Sequence, residues 1–302
     1  MERRELEEKV PGWLALRKAE GLRETTLRTY ADHIRIFLNG LGDRELTPAS
    51  FAEFFRAYSE GHSPASCRTI FVSAKVFLKG VDHADLAGAM KKPRADVPPK
   101  VIYTESQMQT IWQVLRNDGS ATGFRDHAAI AIMYYTGLRV SEVCALQIED
   151  LLGETEAIQV RGGKTRFARR IVPLVQPVPK IIAAYIGRGR PRLLYHHSDY
   201  LFLGVSGQPT TRNTIRQMLR RRGEQVGFPL GAHRFRHTWT TNHVRARTSP
   251  AIIGQLAGWS PKSLMEMMVN YSHPDMEDLR KAQLAAFGSV PNVPITQRAL
   301  GV

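Results

Sequence analysis

The sequence predicts a mainly α-helical protein with a small β-sheet, divided into an all-α N-terminal domain and a mixed α+β C-terminal domain. Three observations support this prediction. Apolar residues recur at helical spacing through residues 1–90, prolines and basic residues crowd the extended stretch 91–102, and two β-type runs interrupt the helical pattern of 103–288. The 302 residues are enough for two hydrophobic cores. Residues 289–302 are expected to form a tail.

The N-terminal domain is predicted from one amphipathic pattern and two capped helices. In "TTLRTYADHIRIFLNGLG" the apolar residues share one helix face: Leu27, Tyr30, Ile34, Phe37, Leu38 and Leu41. Two further helices begin at a hydroxyl N-cap followed by proline, at Thr47 and Ser63, and Gly61 and Gly80 can end them. We expect a small bundle of three or four helices.

The C-terminal domain is predicted to begin with helices and then to contain a hairpin. The stretch "TESQ" (104–107) has capping-box spacing, and the nearly all-apolar "RDHAAIAIMYYTG" predicts a buried helix that ends at Gly137. The runs "AIQV" (157–160) and "RRIVPL" (169–174) flank a basic turn and predict a β-hairpin. Helices are expected again from about residue 211, and two of them begin with Ser-Pro.

Several classes of protein are disfavoured by composition. No apolar run approaches the roughly 20 residues that span a bilayer, and "MERRELEEKV" lacks the apolar core of a signal peptide. Cys67 and Cys144 lie far apart among apolar residues, so neither a disulfide framework nor a zinc site is expected. We therefore expect a cytoplasmic protein that does not associate with membranes.

The charge of the chain points to a polyanionic partner. The net charge is +14 and the isoelectric point is about 10.1, and nucleic acid is the commonest partner of such a protein. Arginines and a lysine are gathered in "RGGKTRFARR" (161–170) and "TRNTIRQMLRRR" (211–222). Such stripes favour phosphate contact, and a solvated basic surface is the alternative.

The stretch "GAHRFRHTWTTNH" (231–243) is compatible with a metal site, an anion site or a merely basic helix. Arg234 stands where a zinc-protease helix has its catalytic Glu, and cationic neighbours disfavour a bound metal. A P-loop is also disfavoured, because Ile158 occupies the position of its first glycine. No carboxylate cluster suggests paired magnesium ions. We expect neither a metal nor a cofactor.

Four blocks in order resemble the signature of the tyrosine recombinases, the integrases and Xer-type resolvases: "TGLRVSEVCAL", "GGKTRFARRIVPL", "AHRFRHTWTTNH" and "LAGWSPKSLMEMMVNYSH". The resemblance covers nearly the whole chain. It implies a SAM-like core-binding domain at 1–90 and a tyrosine recombinase catalytic domain at 103–288. The implied activity is site-specific cleavage and rejoining of DNA through a 3′-phosphotyrosine intermediate.

The resemblance implies a catalytic set, which comprises Arg139, Lys164, His233, Arg236, Trp259 and the nucleophile Tyr271, with Glu142 supporting Arg139. Arginine forks suit the charged phosphorane transition state. Lys164 is our choice of general acid for the leaving 5′ hydroxyl, and His233 is the candidate that assists Tyr271. Trp259 stands where most members have histidine, although tryptophan also occurs, and its N–H can only donate.

Some of these residues also allow a structural interpretation. Lys164 can be an ordinary turn lysine, Trp259 a core residue that closes a helix, and Tyr271 a packed tyrosine. Tyr271 follows Trp259 by twelve positions, about one helical turn more than the family pattern, which is about 4.5 Å at 1.5 Å per residue. A local loop can absorb this excess, or the tyrosine is delivered differently, for example to a neighbouring protomer.

The implied partner is double-stranded DNA, held in a C-shaped clamp. The candidate contacts are Arg28, Arg35, Arg68, Lys75, Arg161, Arg166, Arg212, Arg216, Arg220 and Arg234. The family implies a homotetramer on paired DNA sites, and a partner recombinase or accessory protein can be involved. The segment that contains Leu284 and Phe287 is a candidate arm for packing on a neighbour. The alternatives are relaxation of DNA by a type IB topoisomerase and a non-cleaving DNA-binding protein on the same scaffold.

Overall fold

The computed structural model of the protein describes residues 3–89, 101–153, 156–162, 169–271, 280 and 283–284. The chain divides into two compact units, Met1–Pro99 and Lys100–Val302. The predicted linker at 91–102 lies almost entirely outside the described residues, as do Phe287 and the predicted tail 289–302. Leu284 is described and exposed.

The first unit is an all-α bundle, as predicted, but it contains more helices than expected. The described helices are α1 (Arg3–Ala19), α2 (Glu24–Leu41), α3 (Pro48–Gly61), α4 (Pro64–Lys79) and α5 (Ala84–Ala89). Helix α1 lies in the stretch predicted to be helical, but it was not delimited individually because it is rich in charged residues and has Pro11 inside it. It is nevertheless anchored, since Leu6 and Trp13 are buried. The Trp13 ring meets Tyr30 and Phe77 edge-on at centroid distances of 5.4 and 5.5 Å.

Helix α7 is the centre of the second unit. The helices here are α6 (Glu105–Arg116), α7 (Ala121–Thr136), α8 (Val140–Ala145), α9 (Val178–Ala184), α10 (Arg212–Val226), α11 (Ala232–Arg245), α12 (Pro250–Ala257) and α13 (Pro261–Tyr271). As its apolar sequence predicts, α7 is buried along most of its length, and it packs against α6, α9 and α11. The predicted capping box at Thr104 and Gln107 is confirmed, since each side chain receives a hydrogen bond from the other residue's backbone.

The predicted hairpin is confirmed and belongs to a three-stranded antiparallel sheet. The strands are β1 (Leu151–Leu152), β2 (Ala157–Val160) and β3 (Arg170–Pro173), in that order across the sheet. Val160 pairs with Arg170 at the end of the hairpin that leads to the turn. Strand β1 has two residues, too few to show an alternating pattern. The fold class, mainly helical with a small sheet, is therefore confirmed.

Helical structure resumes well before residue 211, which corrects the sequence-based expectation. Helix α9 runs into a π-helical turn at Tyr185–Gly189 and a 3₁₀ turn at Arg190–Arg192. Glycine and proline in this stretch are poor helix formers, and they concealed it. Packing overrides them, because Val178, Ile182 and Tyr185 are buried, and the Tyr185 hydroxyl accepts the Leu203 N–H at 3.2 Å. In the described part of the chain, no helix is both long and apolar enough to span a membrane.

Candidate active site

The turn after α7 places Arg139. Helix α7 ends at Gly137, whose φ of 63° lies in the left-handed region that favours glycine. A Cβ atom at position 137 would lie 2.5 Å from Cδ2 of Trp239, so the backbone also passes close to an aromatic ring. Arg139 follows as the N-cap residue of α8. Glycine is thus required at this turn for two independent reasons.

Glu142 holds both the backbone and the side chain of Arg139. The Arg139 N–H donates to Oε2 of Glu142 at 2.8 Å, and Nη1 of Arg139 donates to Oε1 at 2.9 Å. The Glu142 side chain is 4% exposed, whereas that of Arg139 is 40% exposed. The acid therefore lies inside, and the guanidinium group that it holds reaches the surface, where an anion can approach.

A second arginine, Arg170 of β3, binds the same carboxylate from the interior. Its Nη1 and Nη2 donate to Oε1 and Oε2 of Glu142 at 3.2 and 3.0 Å. Burial by itself raises the pKa of Glu142, but hydrogen bonds and charges from Arg170 and Arg139 outweigh burial and lower that pKa. The expectation that the whole basic run 161–170 contacts phosphate is therefore wrong for Arg170, whose side chain is 3% exposed.

Arg236 of α11 is an interior residue of the candidate site. It is buried, and its Nη1 donates to the Gly137 carbonyl while its Nη2 donates to the Ala257 carbonyl at 2.8 Å. Its guanidinium carbon lies 5.5 Å from the centre of the Trp259 ring. Arg236 thus joins the end of α7 to the end of α12, and Trp259 flanks it by a cation–π contact.

The carboxyl end of α12 binds three arginines. Arg170 Nε donates to the Leu256 carbonyl at 2.6 Å, and Arg236 donates to that of Ala257. Arg139 makes longer bonds of 3.4 Å to the carbonyls of Ala257 and Gly258. The last carbonyls of a helix lack intrahelical partners and carry its negative dipole end. They, with Glu142, allow three like charges to gather at one place.

His233 and Trp259 complete the described part of the candidate set. His233 is exposed on α11, and its ring lies 4.1 Å from that of His237, one turn further along. Trp259 is half-buried and packs in a small apolar cluster with Trp239, Ile253 and Ala257. Trp259 thus packs in an apolar cluster, as the structural interpretation expects, and it also contacts Arg236.

Two predicted catalytic residues are described in part or not at all. Lys164, together with Arg166, lies outside the described residues, between β2 and β3. Tyr271 is the last residue of α13, and its side chain is outside the described set. Helix α13 is continuous over 261–271. The extra turn between Trp259 and Tyr271 is therefore helical, and no loop absorbs it.

The predicted DNA contacts of the first unit are surface residues. Arg28 and Arg35 are exposed and lie 3.8 and 2.9 Å from carboxylates one turn away. Arg68 lines a groove of about 390 Å³ between α2 and α4, together with Thr26, Thr29, His33 and Ser73. Lys75 is half-buried, with its amine 5.8 Å from the Phe71 ring. These side chains lie on α2 and α4, two helices that pack against each other.

The basic residues of α10 divide into an exposed set and an interior set. Arg212, Arg216 and Arg220 are exposed. Arg222 is buried and donates to Asp118 and Asp126 at 2.6 and 2.9 Å. The expected phosphate-facing stripe therefore does not include Arg222, which pairs with the buried Asp126 and the half-buried Asp118. Arg221, although half exposed, also pairs with Asp126, at 2.8 Å.

Two further predicted DNA contacts have protein partners. Arg161 forms ion pairs with Glu149, at 2.6 Å, and with Asp150. Arg234 donates to the Ile102 carbonyl at 2.9 Å and to Gln107 at 3.1 Å, and its guanidinium group lies 4.1 Å from the Tyr103 ring. The structure thus gives Arg234 a role in fixing the start of α6, which competes with its predicted role as a phosphate contact.

No metal site was identified among the residues that the structure describes, where no three His, Cys, Asp or Glu side chains gather as potential ligands. The described site instead presents guanidinium groups, an imidazole and an indole. Such donors bind an anion, and the arginines suit a phosphate because each can bind two of its oxygens. The arrangement can therefore stabilise negative charge at a phosphate.

Comparison with known proteins agrees with this chemistry. Residues 102–278 match the model of the Phage integrase family. Tyrosine recombinase XerA of Pyrococcus furiosus is 27% identical over 87% of this chain and 88% of its own, and tyrosine recombinase XerD of Listeria innocua is 26% identical over 87% and 93%. The Tn1549 transposon integrase, in complex with transposon right end DNA, has a TM-score of 0.78 at 21% identity, covering 96% of this chain and 100% of that one. Because the family match spans more than half of the sequence, the chain belongs to the phage integrase family of tyrosine recombinases.

Proposed function

We propose that Arg139 and Arg236 bind the scissile phosphate of a DNA duplex and that Tyr271 is the nucleophile. The chain is a site-specific DNA recombinase, an enzyme that cleaves and rejoins double-stranded DNA. The observation that carries the residue assignment is the meeting of both guanidinium groups at the end of α12, where the Ala257 carbonyl accepts from each. Groups held so close together can address a single phosphate.

The proposed chemistry begins with attack of the Tyr271 hydroxyl oxygen on phosphorus. The bond from phosphorus to the 5′ oxygen breaks, and a 3′-phosphotyrosine forms. His233 accepts the tyrosine proton, and Lys164 gives a proton to the departing 5′ oxygen. Arg139 and Arg236 stabilise the extra negative charge on the non-bridging oxygens, and their prior fixation spares reorganisation during the reaction. Rejoining is the reverse, with a 5′ hydroxyl as the attacking group.

Binding of the duplex is proposed to depend mainly on phosphate contacts. The net charge of +14 supports this, as do the exposed arginines Arg212, Arg216 and Arg220 of α10 and Arg28, Arg35 and Arg68 of the first unit. Lys75, Arg161 and Arg166 remain proposed contacts. Exchange between two DNA sites requires four cleavages, so we propose that four protomers assemble on the paired sites, with a partner recombinase or accessory protein where the sites differ.

The experiment that tests this function is covalent trapping on fragmented DNA with EDTA present. Wild-type protein is expected to give adducts that survive SDS and share a short sequence motif. Tyr271→Phe, which keeps the ring and loses only the hydroxyl, is expected to bind the same fragments without forming adducts. Salt-sensitive binding with no adduct from wild type would contradict the cleavage proposal, and relaxation of unrelated plasmids would favour a topoisomerase.

A further inference from the structure

Arg170, the buried arginine of β3, makes a hydrogen bond to a backbone carbonyl in addition to its salt bridge with Glu142. Arg170 donates from Nε to the Leu256 carbonyl and from Nη1 and Nη2 to the two oxygens of Glu142. One guanidinium group thus joins the hairpin to α8 and to the end of α12. Its side chain is almost inaccessible to solvent, so it does not reach DNA itself.

Glu142 links Arg170 to Arg139, because its carboxylate accepts hydrogen bonds from both residues. The carboxylate receives both Nη atoms of Arg170 on one side and the Arg139 N–H and Nη1 on the other. By contrast, the remaining described bonds of Arg139, to the carbonyls of Ala257 and Gly258, are 3.4 Å long and weak. The direction in which the Arg139 fork points is therefore set mainly by Glu142, and the place of Glu142 is set by Arg170.

We infer that Arg170 is a positioning residue for the recombination reaction: it fixes Glu142 so that the Arg139 fork is aimed at the scissile phosphate. This inference rests on the proposed function of Arg139. Arg170 also lies six residues after Lys164 on the same hairpin.

Arginine is specifically required by this geometry. Its planar fork matches both oxygens of a carboxylate while Nε serves a third acceptor. Lysine keeps the charge but cannot make the two parallel bonds and the carbonyl bond together. Arg170→Lys therefore separates charge from geometry. Arg192→Lys is the matched control, because Arg192 is exposed and donates to the Gly119 carbonyl instead of to Glu142.

The test measures first-strand cleavage of a nicked DNA substrate that carries the site recovered by trapping. Arg170→Lys is expected to melt cooperatively and to bind DNA with wild-type affinity, but to cleave about 10- to 100-fold more slowly. That loss is smaller than the roughly 10²- to 10³-fold loss expected for a donor that contacts the phosphate directly, such as Arg139. Arg192→Lys is expected to cleave at the wild-type rate.

The pH dependence of cleavage distinguishes positioning from general loosening of the fold. Arg170 on β3 and Arg139 on α8 face Glu142, and Arg236 on α11 shares the Ala257 carbonyl with Arg139. In Arg170→Met the buried acid keeps only Arg139, so its pKa is expected to rise. The acid limb of the rate profile should then move to higher pH.

A double variant tests whether Arg170 acts through Glu142. If it does, combining Arg170→Lys with Glu142→Gln should slow cleavage no further than the slower single variant.

Parallel measurement of Arg139→Lys separates the two ways in which the account can fail. Wild-type cleavage by Arg139→Lys overturns the proposed function of Arg139, and the inference falls with it. Loss of cleavage in Arg139→Lys with a wild-type rate in Arg170→Lys overturns the inference alone. Additive effects in the Glu142 double variant also overturn it. Should Arg170→Met fail to fold, the lysine variant and the double variant decide the question.

Discussion

Arg139 and Arg236 donate to the same backbone oxygen, that of Ala257, at 3.4 and 2.8 Å. One comes from the N-cap of α8 and the other from the middle of α11. Their common acceptor brings two like charges together before any DNA is present. The long bond of Arg139 and the short bond of Arg236 also divide their roles, because the first guanidinium group is partly exposed and the second is buried.

The two arginines are expected to differ in their effect on stability. Arg236→Ala removes the donor of the Gly137 carbonyl and leaves the Ala257 carbonyl with only the long bond from Arg139, and a buried unsatisfied group costs about 1–3 kcal/mol. Arg139→Ala leaves Glu142 bound to Arg170, so a smaller loss is expected. Both variants should lose about 10²–10³ in cleavage rate. Chemical denaturation together with single-turnover cleavage checks this, and equal losses of stability would contradict the division of roles.

Gly137→Ala is expected to destabilise the protein and slow cleavage. Left-handed backbone costs a residue with a Cβ roughly 1–2 kcal/mol, and here the Cβ also meets the Trp239 ring. Gly227→Ala is the matched control, because Gly227 ends α10 at φ 82° with no atom near its Cβ position. The melting temperature should fall further for Gly137→Ala, and only this variant should lose activity. Equal shifts would show that the close approach to Trp239 contributes nothing.

His127 is expected to make the stability of the fold depend on pH. Burial, followed by the charges of Arg116 and Arg222, lowers its pKa to about 4, whereas the unfolded chain has the ordinary value of about 6.5. The unfolded state therefore binds a proton more readily between these values, and stability is lost as pH falls from about 6.5 towards 4. Denaturation of wild type and His127→Gln at pH 7 and pH 5 checks this. A decrease of the same size in both proteins would assign the pH dependence to other groups.

Salt titration of DNA binding separates surface arginines from interior ones. Each phosphate contact adds about one to the slope of log affinity against log salt. Arg68→Gln should make that dependence less steep by about one, because Arg68 is exposed in the groove between α2 and α4. Arg234→Gln should leave the slope unchanged and lower the melting temperature, since its donors hold α6. A less steep dependence for Arg234→Gln would show instead that Arg234 contacts DNA, as the sequence predicts.

Much of the fold follows from local sequence signals. Hydroxyl caps, Ser-Pro starts and glycine stops mark helices because they satisfy or end the backbone ladder locally. The stretch 178–192 carried no such signal and owes its helical structure to the burial of Val178, Ile182 and Tyr185. Helix α1 likewise depends on packing. Tertiary burial of this kind is decided by residues far away in sequence, and no local pattern contains it.

The site was harder to predict because the presence of an arginine in the sequence does not show whether its side chain faces solvent or the interior. Strand alternation places Arg170 on the same buried face as Val172, with Ile171 on the exposed face. Similarly, Ile215, Met218, Leu219 and Arg222 follow helical spacing on the buried side of α10. Both periodicities could have identified these arginines as interior residues. That Glu142 is the acceptor of Arg170, and not Asp150, depends on the packing of β3 against α8 and α12.

The measurement that tests the central claim most directly is mass spectrometry of the trapped protein–DNA adduct after digestion of both components. The account predicts one modified peptide, with a nucleotide joined through its 3′ phosphate to the oxygen of Tyr271. The adduct should form in EDTA and should be absent from Tyr271→Phe. A nucleotide on another side chain, or attached through a 5′ phosphate, would contradict the proposed nucleophile and the direction of cleavage.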